Sequence, residues 1–427
     1  MKKILLLILT LFTTLATAQQ VTTFAGFNFS GYQDGPLQTA QFNAPDAACF
    51  DTDGNMYVAD RFNHKIRKIS TIGIVTTIAG STEGFANGLG TAAQFNQPAG
   101  ICIDALGNLY VADSNNNCIR KITPAGLVTT FAGSTAGFVD GFVTAAKFYY
   151  PHDICIDTLG NLYIADTFNN KIRKIATGSL IVTTLAGSTE GYLDGPSATA
   201  QFYWPWGVCV DSNFNVYVAS NYRIRKITPD GMVTTYAGSS FGSADGPANI
   251  AQFRNPQSLC IDSLNIVFVV DSVSNNIRKI DADGNVTTYA GPAGMSSSGS
   301  GGDIDGYSTD ARFSSPTGIC IAADNSLYVL QQNYGKIRKI TNVLPAESFN
   351  NTVNFTIFPN PSYNQFTITS TFPFNKVEIL DLLGKPVFHQ NNLLNTHTII
   401  NHNLSKGCYM VLVHFDNKTS CHKLLIN

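Results

Sequence analysis

The sequence is poor in charged residues and has no excess of positive charge. Only 13% of its 427 residues are charged, about half the usual share of roughly 25%. Lys and Arg together number 27, against 29 for Asp and Glu. Such a balance offers no general electrostatic attraction to nucleic acid or to an anionic membrane surface, so we expect neither as a partner.

Long apolar runs are also lacking. Beyond the first residues, no stretch reaches the length of about 18 apolar residues that a membrane-spanning helix needs. At the N-terminus, two lysines precede a short apolar run, Ile4 to Phe12, and the small-residue site Ala16-Thr17-Ala18 follows. This pattern is typical of a secretory signal peptide rather than a membrane anchor. We expect residues 1–18 to be removed on export and to leave a soluble mature chain that begins at Gln19.

What the sequence does have is a unit of about 53 residues that recurs six times. In the second copy, Pro98 opens the segment that ends at Asp104, and Leu109–Asp113, Cys118–Ile122 and Leu127–Gly133 follow. The six anchoring prolines are Pro45, Pro98, Pro151, Pro205, Pro256 and Pro316. The arginines of the third segment are Arg67, Arg120, Arg173, Arg225, Arg278 and Arg338. A fixed period of this length indicates a repeat architecture.

Each copy contains four runs of about five to seven residues rich in β-branched and aromatic side chains, separated by Gly, Asn, Asp and Pro. Four short strands per repeat predict a propeller blade, and six copies predict an all-β, six-bladed β-propeller. The chain starts out of phase, because Val21–Gly26 reads as a fourth strand with no blade before it. The last copy ends at Ile340 without that strand. We therefore expect the N-terminal strand to close the ring over residues 19–341.

The segments of the second copy, which include Gly107–Asp113 and Cys118–Ile122, resemble the NHL repeat family. The resemblance covers about residues 21–341 and implies a six-bladed propeller. The family includes an amidating lyase, receptor and sensor ectodomains and RNA-binding regulators, so its fold does not determine a function.

Nine cysteines in an exported chain would suggest disulfides, but six of them occur once per repeat. These six are Cys49, Cys102, Cys155, Cys209, Cys260 and Cys320. Equivalent positions in adjacent blades should lie beyond the Cα separation of about 7 Å that a disulfide tolerates. We interpret them as small buried apolar residues. The sequence identifies no pairing for Cys118, Cys408 and Cys421.

After the repeats, residues 342–353 read as a linker and residues 354–427 as a small antiparallel β-sandwich with Gly and Asn turns. Phe358-Pro359-Asn360-Pro361, the Gly384-Lys385 turn, Gly407 with Tyr409, and Lys423 near the end resemble the C-terminal sorting domain of type IX secretion substrates in Bacteroidota-type bacteria. The resemblance implies passage through the periplasm, contact with the type IX machinery, and release or attachment at the outer-membrane surface. An ordinary accessory β-sandwich is the alternative.

Residues that recur in every blade are interpreted as parts of the blade. Asp60 and its equivalents precede Asn-rich turns, and Asp34-Gly35 and similar pairs read as turns in the long connections. No Asp-x-Asp-x-Asp-Gly loop indicates a calcium site. The five tail histidines lack tight ligand spacing, so we predict neither a metal site nor a cofactor. The repeated Arg-Lys pairs are spread around the ring, which further disfavours nucleic-acid binding.

Departures from the repeat are more informative about function. Around the anchoring prolines, blades three and four carry aromatic residues where blades one and two carry Asn, Ala and Gln, and both tryptophans of the protein lie there. Since strands alternate in direction, these residues should gather near the central channel on the face that also bears the turn between strands two and three. The candidate ligand-binding residues are Tyr149, Tyr150, His152, Asp153, Tyr203, Trp204, Trp206 and Arg254. Clustered Trp and Tyr beside polar groups suit ligand recognition, although packing between blades is an equal alternative.

No catalytic residue is predicted. His152 and Asp153 are adjacent on a strand and should point to opposite sides, and no Gly-x-Ser-x-Gly or His-Glu-x-x-His motif occurs. The sequence favours a secreted or surface-attached propeller that binds a glycan, a peptide or a protein. An extracellular hydrolase or lyase that uses the same face is the alternative, and a structural surface protein is a third possibility.

Overall fold

The computed structural model describes residues 18–27, 29–293, 301–343, 355–381, 384–415 and 418–426. It divides into two compact units, one spanning Gln20–Thr341 and the other comprising the C-terminal region from Asn342 onward. Apart from Ala18, the predicted signal peptide lies outside the described residues, as does most of the predicted linker.

The first unit consists of six antiparallel sheets, as predicted for a six-bladed propeller. The innermost strands begin at the anchoring prolines and span Pro45–Phe50, Pro98–Ile103, Pro151–Ile156, Pro205–Val210, Pro256–Ile261 and Pro316–Ile321. The second strands span Met56–Asp60, Leu109–Asp113, Leu162–Asp166, Val216–Ser220, Val267–Asp271 and Leu327–Gln331. The third strands span Lys65–Ile69, Cys118–Ile122, Lys171–Ile175, Arg223–Ile227, Asn276–Ile280 and Lys336–Val343.

The outer part of each sheet holds one strand more than the sequence predicts. The fourth strands span Ile74–Ala79, Leu127–Gly133, Ile181–Ala186, Met232–Ala237, Asn285–Ala290 and, in blade six, Ala18–Ala25. Two-residue fifth strands lie outside them at Gly35–Pro36, Gly88–Leu89, Gly141–Phe142, Gly195–Pro196, Gly246–Pro247 and Gly306–Tyr307. Short 3₁₀ helices span Arg61–Asn63, Gly90–Ala92, Ser114–Asn116, Thr167–Asn169, Ser308–Asp310 and Asn333–Gly335.

The N-terminal strand closes the ring, as predicted. In blade six, Ala18–Ala25 lies between the edge strand Gly306–Tyr307 and the third strand Lys336–Val343. Val21 faces Gly306 across the antiparallel pair and is fully buried. Pairing of the first strand with the last blade leaves no long unpaired edge there.

Packing between neighbouring blades provides the core of the ring. Each sheet buries alternate Val, Ile, Leu and Ala side chains against the next one, together with one fully buried phenylalanine per blade. These phenylalanines are Phe42, Phe95, Phe148, Phe202, Phe253 and Phe313. Apolar burial of this extent is the main favourable contribution to folding.

The repeated arginines are buried rather than solvent-exposed. Arg67 donates hydrogen bonds to Asp60 at 2.6 Å and to Asp34 at 2.6 Å, and also to the carbonyl oxygens of Gln33 and Gln41. All six equivalents are fully buried. The aspartate of an Asp-Gly pair therefore has a second role besides the turn, because Asp34 accepts the hydrogen bond that links the outer connection to Arg67 in the third strand. Arginines held in this way are unavailable for contact with a polyanion.

The C-terminal unit is a curled antiparallel sheet of five strands. They span Phe355–Phe358, Gln365–Leu380, Pro386–Asn401, Gly407–Phe415 and Lys418–Ile426. The long strand Gln365–Leu380 pairs with the first and third strands along its first half and with the third and fourth along its second half. A single buried cluster that includes Phe366, Ile379 and Val411 forms its core, so the predicted two layers are parts of one sheet.

The sorting motif residues lie at three structural features of this unit. Asn360 donates to the carbonyl of Lys423 at 2.7 Å and accepts from the amide of Leu425 at 2.9 Å, which ties the Phe358–Pro361 segment to the last strand. Gly384 and Lys385 close a turn on Asp381, with Gly384 at φ 80°. At the start of the fourth strand, Gly407 precedes Tyr409, whose hydroxyl donates to the Ser405 carbonyl at 2.9 Å.

Candidate ligand-binding site

The proline loops and the turns between strands two and three share one face, as the strand directions predict. The amide of Phe62 donates to the Asn43 carbonyl in blade one, and the amide of Phe168 donates to the Tyr149 carbonyl in blade three. Each turn therefore lies against the loop that leads into the innermost strand of its own blade. We call this surface the proline-loop face.

The residues before five of the six anchoring prolines have an unusual backbone conformation, and two of them are the aromatic residues of blades three and four. Tyr150 and Trp204 precede prolines and have φ values of 56° and 45°, in the left-handed region that non-glycine residues seldom adopt. Their amides donate to the side-chain oxygens of Asn117 and Asn170 in the preceding blades, each at 2.9 Å. These contacts between blades hold the loops in the strained conformation.

The aromatic residues of blades three and four form a connected cluster, which we call the mouth cluster. Tyr150 stacks on Phe168 with centroids 4.7 Å apart, and His152 meets the edge of Trp206 at 4.8 Å. Tyr150 links the two contacts, since its ring lies 6.2 Å from His152 and 6.5 Å from Trp206. Tyr149 packs edge-on against Phe168 at 5.2 Å. The predicted aromatic patch is thus a set of mutually oriented rings.

An ion cluster lies directly against these rings. Arg61 Nη1 donates to Asp46 Oδ2 at 2.9 Å, and Arg61 Nη2 lies within hydrogen-bond distance of the Tyr150 hydroxyl at 2.5 Å and of Gln97 Oε1 at 3.3 Å. His152 Nε2 lies 3.4 Å from the same Asp46 oxygen. Asp46 and His152 are buried. Residues of blades one, two and three therefore converge at one point of the channel mouth.

Arg61 departs from the repeat at this point. In blades two and three its position is held by Ser114 and Thr167, whose hydroxyls donate to the carbonyls of Pro151 and Pro205 in the next blade at 2.8 and 2.7 Å. Arg61 instead reaches past the neighbouring blade to Tyr150. The residue after the proline of blade two is the small Ala99, so the side chains of Asp46 in blade one and His152 in blade three can contact each other.

Burial and the ion cluster together shift the pKa values of Asp46 and Tyr150. Burial alone would raise the pKa of Asp46, but the charges of His152 and Arg61 and their hydrogen bonds outweigh it and lower the pKa to about 2. Burial raises the pKa of the Tyr150 hydroxyl, although Arg61 opposes that shift. At neutral pH the site therefore presents an ionised Asp46 and a neutral phenol.

Asp153 lies apart from this cluster. A bulge separates Pro151 from Asp153 in the innermost strand, and the Asp153 carboxylate accepts hydrogen bonds from the amides of Val208 and Ile154, each at 2.9 Å. It lines the central channel, where burial raises its pKa to about 6. His152 and Asp153 do not form a pair, as predicted, because the imidazole contacts Asp46 instead.

Below the mouth, the innermost strands enclose a channel of about 320 Å³. Its walls are apolar except for Asp153 and Ser258, and they include the six repeated cysteines, which are free thiols. Burial raises the pKa of each of these thiols. They are therefore protonated and act as small apolar residues, as predicted. Cys118 and Cys408 are also free, whereas the side chain of Cys421 lies outside the described residues.

The last two candidates have different positions. Tyr203 extends the mouth cluster outward, since it packs against Trp204 at 5.1 Å and stacks on Tyr192 at 5.8 Å. Arg254 of blade five lies over Phe241 at 5.7 Å, whereas the residues of the mouth cluster and of the ion cluster belong to blades one to four. The site proposed below is therefore built without Arg254.

Sequence reasoning missed Asp46, Arg61, Gln97 and Phe168. One signal could have identified Arg61, because it is a charged residue at a position that holds Ser or Thr in the next two blades. Asp46 and Gln97 look like ordinary loop residues, since a contact between blades one and three depends on the closed ring. Phe168 lies in an Asn-rich turn, where the repeat gives no reason to expect a binding residue.

No group of three or more metal-binding side chains occurs in the described ranges. Among the tail histidines, the ring of His402 lies 3.0 Å from the Ser362 hydroxyl, and that of His414 lies 2.8 Å from the Glu378 carboxylate. Within the same ranges, no helix has the length and apolar character needed to cross a bilayer.

Two known families match parts of the chain. Residues 95–122 and 148–175 match the NHL repeat, and residues 356–427 match the secretion system C-terminal sorting domain. The sorting domain indicates export by type IX secretion to the cell surface or the extracellular space.

Similar curated proteins match the repeat region. The chain is 31% identical over 264 residues to the chloroplastic protein SUPPRESSOR OF QUENCHING 1 of Arabidopsis thaliana, covering 57% of this chain and 25% of that protein. It is 26% identical over 349 residues to human NHL repeat-containing protein 2, covering 70% of this chain and 47% of that protein. The chain thus spans less than half the length of these relatives.

Solved structures share the fold. An auxiliary nutrient binding protein from Bacteroides ovatus superposes with a TM-score of 0.58 at 16% identity, covering 76% of this chain and 77% of that one. A Bacteroides thetaiotaomicron protein of unknown function gives the same TM-score at 20% identity, with 76% of each chain covered. At these identities the likeness concerns the fold alone.

Proposed function

We propose that this NHL-repeat propeller, which carries a type IX sorting domain, is an exported binding module that holds a saccharide at the mouth of its central channel. The proposal rests on one observation: the mouth cluster lies in direct contact with the ion cluster of Asp46, Arg61 and His152. The candidate residues at this site are Tyr149, Tyr150, His152, Trp204 and Trp206, with Tyr203 at its outer margin and Asp153 below it in the channel.

The chemistry of this site suits a sugar. A sugar ring has apolar C–H faces that pack on aromatic rings and hydroxyls that need directed hydrogen bonds. Trp204 and Tyr149 are exposed, and the mouth also holds an arginine, an imidazole and a carboxylate, the last two of them buried. Because Asp46 offsets the charge of Arg61, the site favours a polar ligand over a strongly anionic one.

The position of the site agrees with this role. The rings belong to loops at the channel mouth, where departures from the repeat leave the blade framework intact. The superposed Bacteroides ovatus structure is named an auxiliary nutrient binding protein. Its shared fold is compatible with the proposal, although the identity of 16% transfers no residue role.

Binding of a panel of saccharides and peptides to the purified propeller would test the proposal. We expect Trp206→Ala and Tyr150→Ala each to lower saccharide affinity about tenfold, the effect of losing a ring contact worth about 1.4 kcal/mol. Tyr307→Ala is the matched control, because Tyr307 is an exposed ring on the outer edge strand of blade six. Binding that neither site variant changes would contradict this site, and selective binding of peptides would contradict the ligand class.

The contact between Asp46 and His152 favours a second candidate, an extracellular hydrolase or lyase at the same mouth. A carboxylate that orients an imidazole is the usual arrangement for a general base. Turnover of a bound saccharide, with a kcat that falls by a larger factor in His152→Gln than the affinity does, would support this candidate over simple binding.

A further inference from the structure

Four exposed aromatic rings occupy equivalent positions on consecutive blades, outside the mouth cluster. Each ring lies in the long connection between blades. It directly follows a glycine and stands three residues before the glycine that begins the edge strand. The four rings are Tyr32, Phe85, Phe138 and Tyr192. Their exposed fractions range from 70% at Tyr32 to 40% at Tyr192. The same position holds the buried Ser243 in blade five and Asp303 in blade six. We call the four rings the aromatic arc.

The aromatic arc lies on the proline-loop face. The glycine before each of the first three rings accepts a hydrogen bond from an asparagine in the turn between strands two and three. Asn63 donates to the Gly31 carbonyl at 2.6 Å, and the equivalent asparagines donate to Gly84 and Gly137 at 2.8 Å. Since those turns form part of the proline-loop face, the rings that follow the glycines are on it too.

Each ring of the arc is oriented by a cation on one of its faces. The distances from charge centre to ring centroid are 5.6 Å for Lys65 and Tyr32, 5.0 Å for Arg120 and Phe85, 4.7 Å for Lys171 and Phe138, and 4.6 Å for Arg223 and Tyr192. Such contacts fix a ring without burying it.

The charged groups of these side chains already have hydrogen-bond or ion-pair partners within the protein. Lys65 donates to the Ser81 carbonyl at 2.6 Å, Lys171 to that of Gly187 at 3.1 Å, and Arg223 to that of Ser239 at 3.2 Å. Arg120 is paired with Asp113 at 2.9 Å. These side chains therefore have fewer N–H donors left for a ligand, and the exposed groups of the arc are its rings, which favours an uncharged ligand.

The arc is continuous with the mouth cluster. Tyr192, its last ring, stacks on Tyr203 with an interplanar angle of 13°. Tyr203 contacts Trp204, whose ring lies 6.3 Å from that of Phe168 within the mouth cluster. Ring contacts thus lead without interruption from blade four of the arc to the channel mouth.

From this arrangement we infer that the aromatic arc is an extended subsite for a neutral polysaccharide chain, with one ring contact per blade and one end of the chain at the mouth. This inference rests on the proposed function, because it takes the mouth to hold a saccharide. Exposed threonine hydroxyls, such as Thr82, Thr135 and Thr189, lie near the rings in sequence. Rings on separate blades, divided by polar residues, suit a ligand long enough to cross several blades, whereas a protein partner would require a contiguous apolar patch.

Chain length tests the inference. We expect calorimetric titration with cello-, laminari-, malto- and xylo-oligosaccharide ladders to show one ladder whose affinity rises with chain length from monosaccharide to polymer. Phe138→Ala and Tyr32→Ala should each lower the affinity for the polymer about fivefold and leave the affinity for the shortest bound saccharide unchanged. Tyr307→Ala should change neither affinity, and thermal unfolding of each variant should match that of the parent protein.

The outcomes separate the arc from the mouth. If short and long saccharides bind equally, and Trp206→Ala weakens both while Phe138→Ala weakens neither, the arc is contradicted and the mouth site stands. If the arc variants weaken polymer binding and Trp206→Ala does not, the rings bind the polymer but its end does not lie at the mouth, and both the mouth site and the extended subsite are contradicted. Binding of none of the saccharides by the parent protein would overturn the extended subsite, whereas peptide binding at the mouth would still be measurable with Trp206→Ala.

Discussion

At the scale of single residues, an arginine in place of serine or threonine at one position of the repeat changes the contacts made there. Ser114 and Thr167 use their hydroxyls to join neighbouring blades, whereas Arg61 at the same position contacts Asp46, Gln97 and Tyr150. The exchange costs one hydrogen bond between blades and gives the channel mouth a fixed cluster of charges. Function in this protein is therefore expected at positions where the repeat is broken.

Replacing Arg61 with the residue of the repeat tests this interpretation. In Arg61→Ser, we expect saccharide affinity to fall about tenfold or more because a charged hydrogen bond is lost. The thermal midpoint should also fall, because buried Asp46 loses one of its two cationic partners, although a serine can restore the bond to the next blade. Calorimetric titration and thermal unfolding measure the two effects. Unchanged affinity in a variant that remains folded would contradict the assigned role.

The pKa of Asp46 makes a second prediction about a single residue. Its value is about 2 in the fold, below the 3.8 of an unperturbed Asp, so the folded state binds this proton less tightly than the unfolded state. The stabilisation, about 2 kcal/mol, is present above pH 4 and is lost as the pH falls towards 2.

Acid unfolding checks this prediction. Between about pH 4 and about pH 2, the free energy of unfolding should fall by about 2 kcal/mol more in the parent protein than in Asp46→Asn. Guanidinium unfolding at a series of pH values measures the difference. Parallel acid profiles of the two proteins would show that Asp46 is not held ionised by Arg61 and His152.

At the scale of elements, the period and the strand pattern were sufficient to predict six blades and the proline-loop face. The fifth strands were missed because two residues such as Gly35–Pro36 carry no alternating pattern. The buried arginines were missed for another reason. Arg67 lies beside a lysine in a strand that reads as polar, and only the carboxylates of Asp34 and Asp60, from distant segments, show why it is buried.

Ring closure makes a prediction at this scale. Val21 in the N-terminal strand is equivalent to Val75 in blade one, and both are fully buried. Because the N-terminal strand belongs to blade six, Val21→Ala should lower the free energy of unfolding about as much as Val75→Ala, by about 2 kcal/mol. Chemical unfolding measures both. A neutral Val21→Ala beside a destabilising Val75→Ala would show that the strand does not close the ring.

At the scale of the whole molecule, the sequence indicated a propeller followed by a sorting domain, and the family matches agree. The mouth itself could be predicted only in part. Tyr150 and Trp206 were found because aromatic residues break the repeat, but the partners of His152 could not be found, since Asp46 lies about 106 positions away and meets it only in the closed ring.

The tail makes a prediction about export. Because Asn360 ties the Phe358–Pro361 segment to the last strand, Asn360→Ala should reduce delivery of a reporter fused to residues 342–427 in a cell that has type IX secretion. Asn391→Ala is the matched control, because Asn391 is exposed on the third strand of the same unit. Surface labelling and fractionation measure the outcome. A parent fusion that stays in the periplasm would refute the sorting role.

The central claim is that a ligand occupies the channel mouth, and tryptophan fluorescence tests it most directly. The protein contains two tryptophans, Trp204 and Trp206, and both belong to the mouth cluster. A saccharide that binds by calorimetry should therefore shift the tryptophan emission of the parent protein and of Trp204→Phe, with the same dissociation constant as the calorimetric one. Binding that leaves the emission of both proteins unchanged would place the ligand elsewhere and contradict the account.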